Sequence, residues 1–317
     1  MTSSKPADVH DGIRNPGTAL RPDWLEGLQV EPEAADRRVE EIRNRSTAEP
    51  GTAVARLLHA VRLLDLTTLA EDDTPADVRA LCARARRPIG DDVLEAVGTS
   101  SGGIRVAAVC VFDRFVPVAC QELGDSGIRV AAVTAGFPVG LPALPERLDQ
   151  VRETVASGAD EIDVVIHRQH VLGRDWRALY DEVRALREAC GPARLKTILA
   201  AGDLGGLAAV AAAGLVCCMA GADFIKTSTG RERVNATLPI GLAMVSAIRR
   251  YAERTGYTVG IKPAGGMRTA ADALAWLELI RGELGAAWMT PVHFRLGASS
   301  LLGDIERRIA ELTIVTS

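Results

Sequence analysis

The sequence predicts a (β/α)₈ barrel with an N-terminal helical extension. Eight short apolar runs, rich in β-branched residues, follow one another between residues 62 and 300. Longer segments with apolar residues at three- and four-residue spacing lie between them. Strand followed by helix, repeated eight times over roughly 240 residues, favours a parallel sheet that closes into a barrel.

An open, doubly wound sheet is the alternative fold. Such a sheet often carries a GxGxxG turn after its first strand, and this sequence contains no such turn. The barrel is therefore favoured. The eight candidate strands, in chain order, are RLLDLTTL (62–69), IRVAAVCVF (104–112), IRVAAVTAGF (128–137), EIDVVI (161–166), LKTILA (195–200), DFIKTST (223–229), TVGIKPAGG (258–266) and FRLGASS (294–300).

The helical segments have their own signals. Clear amphipathic patterns cover residues 144–158, 176–190, 238–256 and 270–284. Thr269 followed by Asp272 predicts a helix N-cap with an acidic third position. The heptapeptide GIRVAAV occurs at 103–109 and again at 127–133, which predicts that one βα unit nearly repeats itself.

The first 55 residues differ from the rest of the chain. They are polar and rich in charge and proline, with one helical pattern in EAADRRVEEIRNRS. We therefore expect two parts, a partly helical extension over 1–55 and a (β/α)₈ barrel over 56–317.

Composition argues against nucleic acid and membranes as partners. A formal net charge of −4 provides no basic field, and the 47% hydrophobic and 25% charged residues are ordinary for a globular protein. The most apolar stretch, 204–222, is rich in Ala and Gly and predicts a buried helix. The N-terminus lacks the apolar core of a signal peptide, and the six cysteines show neither CxxC nor metal-ligand spacing. A soluble, cytoplasmic protein with free thiols is expected.

Lysine is rare in this chain. Of 37 basic residues only four are lysines, and three of these, Lys196, Lys226 and Lys262, lie in apolar, strand-like sequence. Each alone is expected to form a buried ion pair. Lys226 and Lys262, however, fall on consecutive candidate strands, six and seven, at similar depth, so a closed barrel brings their side chains together. The sequence therefore predicts a lysine pair on strands six and seven, in a fold whose active site forms at the carboxyl ends of the strands.

Such a pair alters the chemistry of an amine. A second cation about 4 Å away, at an effective dielectric constant of about 20, disfavours the ammonium form by roughly 4 kcal/mol, or about three pKa units. A free amine near neutral pH can attack a carbonyl group. Arginine cannot act in this way, which explains why lysine persists in an arginine-rich chain.

Carboxylates on neighbouring strands have two interpretations each. Asp163 is either a counter-ion for Lys226 or Lys262, or a group that moves protons during carbonyl chemistry. Asp65 either orients substrate and contacts the lysine pair, or caps its strand. Lys196 is interpreted first as an ion-pair partner.

Small residues follow the last strands. Gly265 and Gly266 come after strand seven, and Gly297, Ser299 and Ser300 lie at the end of strand eight. Loops after strands seven and eight, with backbone N–H groups at helix starts, form the usual phosphate site of this fold. A turn-forming glycine is the alternative for either loop alone.

With these residues identified, the sequence resembles the deoxyribose-phosphate aldolase family, class I (Schiff-base) aldolases. The matching stretches, between residues 60 and 303, are LLDLTTLAEDDT, AAVCVF, GADEIDVVI, GADFIKTSTG, VNAT, GIKPAGGMRTAADA and FRLGASSLL. The first 55 residues and EIDVVIHRQHVLGRDWRALYDEV are more similar to the longer-chain branch.

The resemblance implies residue roles. Lys226 would form the Schiff base, Lys262 would lower its pKa, Asp163 would transfer protons with a water, and Asp65 would support the site. The phosphate would be surrounded by Gly230, Arg231, Gly265, Gly266, Gly297, Ser299 and Ser300. The implied reaction is reversible cleavage of 2-deoxy-D-ribose 5-phosphate to D-glyceraldehyde 3-phosphate and acetaldehyde in deoxyribonucleoside catabolism, without metal or cofactor.

The sequence departs from the family pattern at three places. Arg231 replaces a common lysine and preserves its charge. Ala201 and Asp203 change the loop after strand five, and the C-terminus, ELTIVTS, lacks the tyrosine that assists proton transfer in some members. A pyridoxal-phosphate enzyme and a sugar-phosphate-binding regulator are the alternatives in other classes, and a homo-oligomer is left open.

Overall fold

The described part of the chain folds around one parallel sheet. The structure, a computed structural model, describes residues 14–28, 30–47, 50–100 and 103–316. Within them each candidate run coincides with one strand, and neighbouring strands pair in parallel in the order β7-β6-β5-β4-β3-β2-β1-β8. The strands are β1 (Leu64–Thr67), β2 (Ala108–Phe112), β3 (Arg129–Val133), β4 (Glu161–Val165), β5 (Arg194–Ile198), β6 (Phe224–Lys226), β7 (Gly260–Lys262) and β8 (Leu296–Ala298).

The sheet closes on itself between β7 and β8. Parallel bridges join Ile261 to Phe294 and Ala264 to Gly297. The backbone N–H of Arg295 donates to Ile261 O at 3.0 Å, and that of Gly297 donates to Pro263 O at 2.9 Å. These bonds complete the ring, so the predicted (β/α)₈ barrel is confirmed.

Helices cover the outside of the ring. In the described residues they are α1 (Pro32–Ser46), α2 (Pro50–Arg62), α3 (Pro75–Arg86), α4 (Asp91–Ala96), α5 (Val116–Leu123), α6 (Leu144–Ala156), α7 (Arg168–Leu172), α8 (Trp176–Ala189), α9 (Leu207–Met219), α10 (Leu238–Thr255), α11 (Ala270–Leu284) and α12 (Leu301–Thr316). None of these helices is long and apolar enough to cross a membrane.

Two predicted helix features are confirmed. At α11 the Thr269 hydroxyl accepts from the Asp272 N–H at 3.2 Å, and the Asp272 carboxylate accepts from the Thr269 N–H at 2.9 Å, a capping box. The apolar stretch 204–222 forms α9, which is buried along most of its length. Gly214 permits this packing, because a Cβ atom there would lie 3.2 Å from Ile225 on β6.

The repeated heptapeptide does not occupy equivalent positions. In the second copy Arg129 begins β3, whereas in the first copy Arg105 precedes β2 and Ala108 is the first strand residue. Arg129 corresponds in sequence to Arg105, but it pairs with Ala108, three residues further along the chain. Both copies lead into a strand that is followed by a helix, but the two strands start at different points, because pairing with neighbouring strands decides where each strand starts.

The N-terminal segment is attached to the barrel at the start of β6. The buried Asn15 donates to Cys218 O at 2.8 Å and to Ala222 O at 2.9 Å, and it accepts from the Tyr251 hydroxyl at 2.7 Å. The N–H of Asn15 also donates to the Asp223 carboxylate at 3.1 Å. The predicted helix in the extension is α1. The predicted division after residue 55 falls within α2, and residues 1–13 lie outside the described part.

Candidate active site

The two lysines of the predicted pair end adjacent strands. Lys226 is the last residue of β6, Lys262 is the last residue of β7, and the two are paired in register. Both side chains are buried inside the barrel. Because parallel strands carry their functional side chains at their carboxyl ends, this register places both amines at the face where barrels of this kind hold substrates.

Asp163, in the middle of β4, joins three lysines. Its Oδ2 accepts from Lys226 Nζ at 2.8 Å and from Lys262 Nζ at 2.7 Å. Its Oδ1 accepts from Lys196 Nζ at 2.7 Å. The expected contact between Asp163 and the lysine pair is therefore present, and Lys196 is the ion-pair partner that the sequence predicted.

A second layer of charges lies deeper in the barrel. Lys196 Nζ lies 2.6 Å from Glu161 Oε2, and Lys262 Nζ lies 2.6 Å from Asp65 Oδ2. The Arg295 guanidinium joins the two carboxylates, with Nη1 at 2.6 Å from Asp65 Oδ1 and Nη2 at 2.6 Å from Glu161 Oε1. Asp65 thus contacts Lys262 of the pair as well as this deeper layer.

We call this set the interior cluster. It consists of Asp65, Glu161, Asp163, Lys196, Lys226, Lys262 and Arg295, all of them buried. Four of its members are basic and three are acidic. If every group were ionised, the cluster would carry one uncompensated positive charge in a region shielded from water, which favours loss of one proton.

The lysines of the cluster differ in basicity. Burial lowers the pKa of Lys226, Asp163 partly opposes this, and the neighbouring Lys262 lowers the pKa further. Burial also acts on Lys262, but Asp163 and Asp65 outweigh it and raise the pKa of Lys262 well above its ordinary value. Lys262 therefore keeps its proton, and Lys226 is the lysine that can lose one. Burial is the leading cause of the lowered pKa of Lys226, whereas the sequence prediction attributed it to the like charge of Lys262.

The carboxylates are held ionised by the bases around them. Burial alone would raise the pKa of Glu161, but Arg295 and Lys196 outweigh burial and lower it to about 2. The pKa of Asp163 is held well below its ordinary value by its three lysines, against the opposing effect of burial. The cluster therefore presents Asp163 as a carboxylate, able to accept a proton.

The loops after β6 and β7 meet near the mouth of the barrel. Gly230, Gly265 and Gly266 all have positive φ, at 89°, 79° and 83°. A Cβ atom at position 265 would lie 2.9 Å from Gly230 Cα, so the two loops are in direct contact. Only glycine combines this backbone conformation with this approach. The predicted small-residue loops are thus brought together.

The remaining predicted phosphate residues fall into two groups. Ser299 and Ser300 are exposed and immediately precede Leu301, the first residue of α12, so they adjoin the N-terminus of this helix. Gly297 lies within the wall, and a Cβ atom there would lie 2.9 Å from Lys262 Cε. Its N–H is used to close the barrel, so Gly297 provides room for Lys262 rather than a free donor. The Arg231 side chain donates from Nη2 to Leu69 O at 2.7 Å.

The loop after β5, where the sequence departs from the family pattern, is packed between two neighbours. Ala200 takes a left-handed conformation at φ 52°, and the Asp203 carboxylate pairs with Arg168 Nη1 at 2.7 Å. A Cβ atom at Gly202 would clash with the Val234 carbonyl oxygen. The changed residues thus form ordered contacts at the mouth.

Sequence reasoning missed Glu161, Arg295 and the position of Cys110. Glu161 is two residues before Asp163 and Arg295 two before Gly297, so strand alternation alone would have placed them on interior faces. The Cys110 thiol lies 4.0 Å from Asp163 Oδ2, and burial raises its pKa. In the described residues, no three or more His, Cys, Asp or Glu side chains group as a metal site would require.

The fold and the interior cluster define a class, a (β/α)₈-barrel enzyme with a buried lysine at its catalytic face. A family model described as DeoC/LacD family aldolase matches residues 59–302. The chain belongs to this aldolase family.

Individual proteins agree with the family. The chain is 50% identical over 297 residues to a deoxyribose-phosphate aldolase of Homo sapiens, with 93% of each chain covered. It is 51% identical over 295 residues to that of Mus musculus, covering 92% of this chain and 93% of the relative. A tetrameric deoxyribose phosphate aldolase structure from Aeropyrum pernix superposes with a TM-score of 0.61 at 21% identity, covering 87% of this chain and 98% of that one, and supports the fold alone.

Proposed function

We propose that this chain reversibly cleaves 2-deoxy-D-ribose 5-phosphate to D-glyceraldehyde 3-phosphate and acetaldehyde, in deoxyribonucleoside catabolism, through a Schiff base on Lys226. The observation that carries the proposal is the pairing of Lys226, whose pKa burial lowers, with Asp163 at 2.8 Å. The deoxyribose-phosphate aldolases among its relatives, about half identical over most of the chain, support the choice of substrate.

In the first step the Lys226 amine attacks the aldehyde carbon C1 of the open-chain sugar. The carbinolamine loses water and leaves an iminium ion, which withdraws electrons from the C2–C3 bond. Lys262, which stays protonated, keeps the Lys226 amine available by repulsion. Asp163 contacts both amines and can relay the protons that this dehydration requires.

The second step breaks the C2–C3 bond. The C3 hydroxyl gives up its proton, glyceraldehyde 3-phosphate leaves, and the electron pair of the bond forms an enamine on Lys226. A proton added at C2 and hydrolysis of the iminium then release acetaldehyde. Asp163, whose Oδ2 lies 2.8 Å from Lys226 Nζ, is the proposed carrier of these protons, directly or through a water.

The phosphate is proposed to bind at the mouth. Gly230, Arg231, Gly265 and Gly266 form one side of this site, and Ser299 with Ser300 at the start of α12 forms the other. Backbone N–H groups at helix starts and in positive-φ turns attract anions. Gly297 contributes space beside Lys262, and Asp65 fixes the Lys262 ammonium from below.

A reducing compartment, the cytoplasm, suits the chain. All six cysteines lie in the described part of the chain, where none forms a disulfide and five are buried. That the chain forms a homo-oligomer stays a prediction.

Reductive trapping tests the proposal. Acetaldehyde with borohydride should convert Lys226 to its N-ethyl form, and peptide mass spectrometry locates the label. The Lys226→Arg variant should take up no label and release no acetaldehyde from deoxyribose 5-phosphate. Labelling of another residue would refute the assignment of Lys226.

Two further results would favour the alternatives. Sugar-phosphate binding by wild type without any release of acetaldehyde would favour a regulator. Yellow cofactor absorbance in the purified protein would favour a pyridoxal-phosphate enzyme.

A further inference from the structure

A carboxylate from the chain itself sits among backbone donors at the mouth. The side chain of Glu232 accepts from the Thr229 N–H at 3.0 Å, from the Thr229 hydroxyl at 2.8 Å and from the Gly230 N–H at 3.2 Å. Three donors thus converge on one carboxylate oxygen. The consecutive N–H groups of Thr229 and Gly230, with Gly230 at positive φ, form the kind of concavity that binds anions.

This donor set adjoins the proposed phosphate site. Gly230, which supplies one of the donors, is in contact with Gly265 of the next loop. Gly230 and Arg231 are also the two residues that the loop after β6 brings to the phosphate. A phosphate at the mouth and the Glu232 carboxylate would therefore use the same or adjacent donors, and their negative charges would repel.

Several hydrogen bonds of the loop do not involve the Glu232 carboxylate. Asn235 Nδ2 donates to the backbone oxygen of Glu232 at 2.8 Å, and the Arg231 N–H donates to the Thr229 hydroxyl at 3.1 Å. The Arg231 side chain donates to Leu69 O. Displacement of the Glu232 side chain would leave these three bonds in place.

We propose that Glu232 is an internal competitor for the substrate phosphate and so sets the affinity and selectivity of the site for phosphorylated sugars. In the empty site its carboxylate occupies the donors of Thr229 and Gly230. A phosphate dianion displaces it, because two charges outweigh one at the same donors. The inference rests on the proposed function, since it takes the phosphate to bind beside Gly230.

The test removes the charge and keeps the shape. Glu232→Gln should bind inorganic phosphate at least about fivefold more tightly by titration calorimetry, the factor expected for each pair of unit charges at roughly 4 Å in water. Its KM for deoxyribose 5-phosphate should fall by a similar factor, while its KM for unphosphorylated deoxyribose stays unchanged. Glu71→Gln, which removes an exposed charge from the loop after β1, should change none of these values.

A second variant separates competition from support. Glu232→Ala removes both charge and acceptor, so competition again predicts tighter phosphate binding, whereas a supporting role predicts weaker binding. Unchanged or weaker phosphate binding in both variants overturns the inference. Phosphate titration needs no turnover, so a wild-type protein that releases no acetaldehyde would refute the proposed function while leaving the Glu232 result readable.

Discussion

Lys226 and Lys262 donate to the same carboxylate oxygen, at 2.8 Å and 2.7 Å. Because both nitrogens contact this one oxygen, Lys226 Nζ and Lys262 Nζ lie close to each other. Asp163, which carries the oxygen, stabilises both ammonium forms but has one oxygen for the pair. Lys262 has a second carboxylate, Asp65, whereas among the residues that the structure describes Lys226 pairs with Asp163 alone. This asymmetry decides which lysine releases its proton.

Removal of Lys262 should make Lys226 more basic. In Lys262→Met the like charge is lost and Asp163 faces Lys226 with one competitor fewer, so the pKa of Lys226 rises toward its ordinary value of 10.5. The rising limb of kcat/KM against pH should move to higher pH, and activity at pH 7 should fall at least tenfold. Arg254→Met, which removes an exposed charge, is the control. A limb that does not move would contradict this account.

Loss of Glu161 should destabilise the fold. Glu161→Gln leaves Arg295 with one carboxylate and weakens the pairing of Lys196, both deep in the barrel. Breaking a buried ion pair costs about 3–5 kcal/mol. Urea unfolding of the variant should show a loss of this size in the free energy of unfolding. Glu188→Gln breaks the exposed pair with Arg184 and should cost less than about 1 kcal/mol. Equal losses in the two variants would show that the interior pair has no special weight.

Acid should unfold the protein over a defined range. The pKa of Glu161 falls from 4.5 to about 2 on folding, so its contribution to stability is fully present above pH 4.5 and is lost as the pH falls to about 2. The loss is on the order of 3 kcal/mol for this group. The melting temperature should fall steeply below pH 4.5. In Glu161→Gln the fall should be shallower, and an unchanged slope would exclude Glu161 as a source.

A methyl group at Gly265 should impair phosphate binding. Ala at 265 meets Gly230 Cα at 2.9 Å and also strains a backbone at φ 79°. KM for deoxyribose 5-phosphate should rise about tenfold, with little change in KM for unphosphorylated deoxyribose. Gly256→Ala carries similar strain at φ 75° with no neighbour within 4 Å, so it should lose stability but keep its KM. An equal rise in KM for deoxyribose 5-phosphate in Gly265→Ala and Gly256→Ala would show that backbone strain alone causes the effect.

The attachment of the N-terminal segment should matter for stability. Asn15→Ala leaves the carbonyl groups of Cys218 and Ala222 and the hydroxyl of Tyr251 without their partner. The expected loss is about 3 kcal/mol in the free energy of unfolding. Thr18→Ala, whose hydroxyl contacts only the neighbouring Ala19 O, is the control and should lose less than about 0.5 kcal/mol. A loss of similar size in both would show that the segment is weakly attached.

Much of this architecture follows from local sequence. Alternating strand and helix patterns predicted all eight strands. The adjacency of Lys226 and Lys262 was predicted because the two residues lie at similar depth in consecutive strands of a closed barrel. The partners of Arg295 could not be predicted in the same way. Its contacts with Asp65 and Glu161 cross the barrel interior and depend on the closed ring, which no local pattern encodes.

The two copies of GIRVAAV mark another limit. The identical heptapeptides start their strands at different points, since Ala108 begins β2 and pairs with Arg129, which begins β3. Likewise, the donors that Glu232 occupies depend on the fold of one loop, and a lone glutamate in RERVN gives no sign of it. Long-range pairing and loop geometry are therefore what the sequence leaves open.

The unequal count of bases and acids in the interior cluster reaches beyond the resting protein. If a sugar is attached as proposed, nitrogen 226 becomes part of an iminium ion, and the cluster again holds four positive and three negative charges. The enamine that follows would be neutral at that nitrogen and would return the cluster to three positive and three negative charges. The same imbalance that frees the amine would thus favour movement of electrons toward the nitrogen, so the interior cluster would act as an electron sink prepared before the substrate arrives.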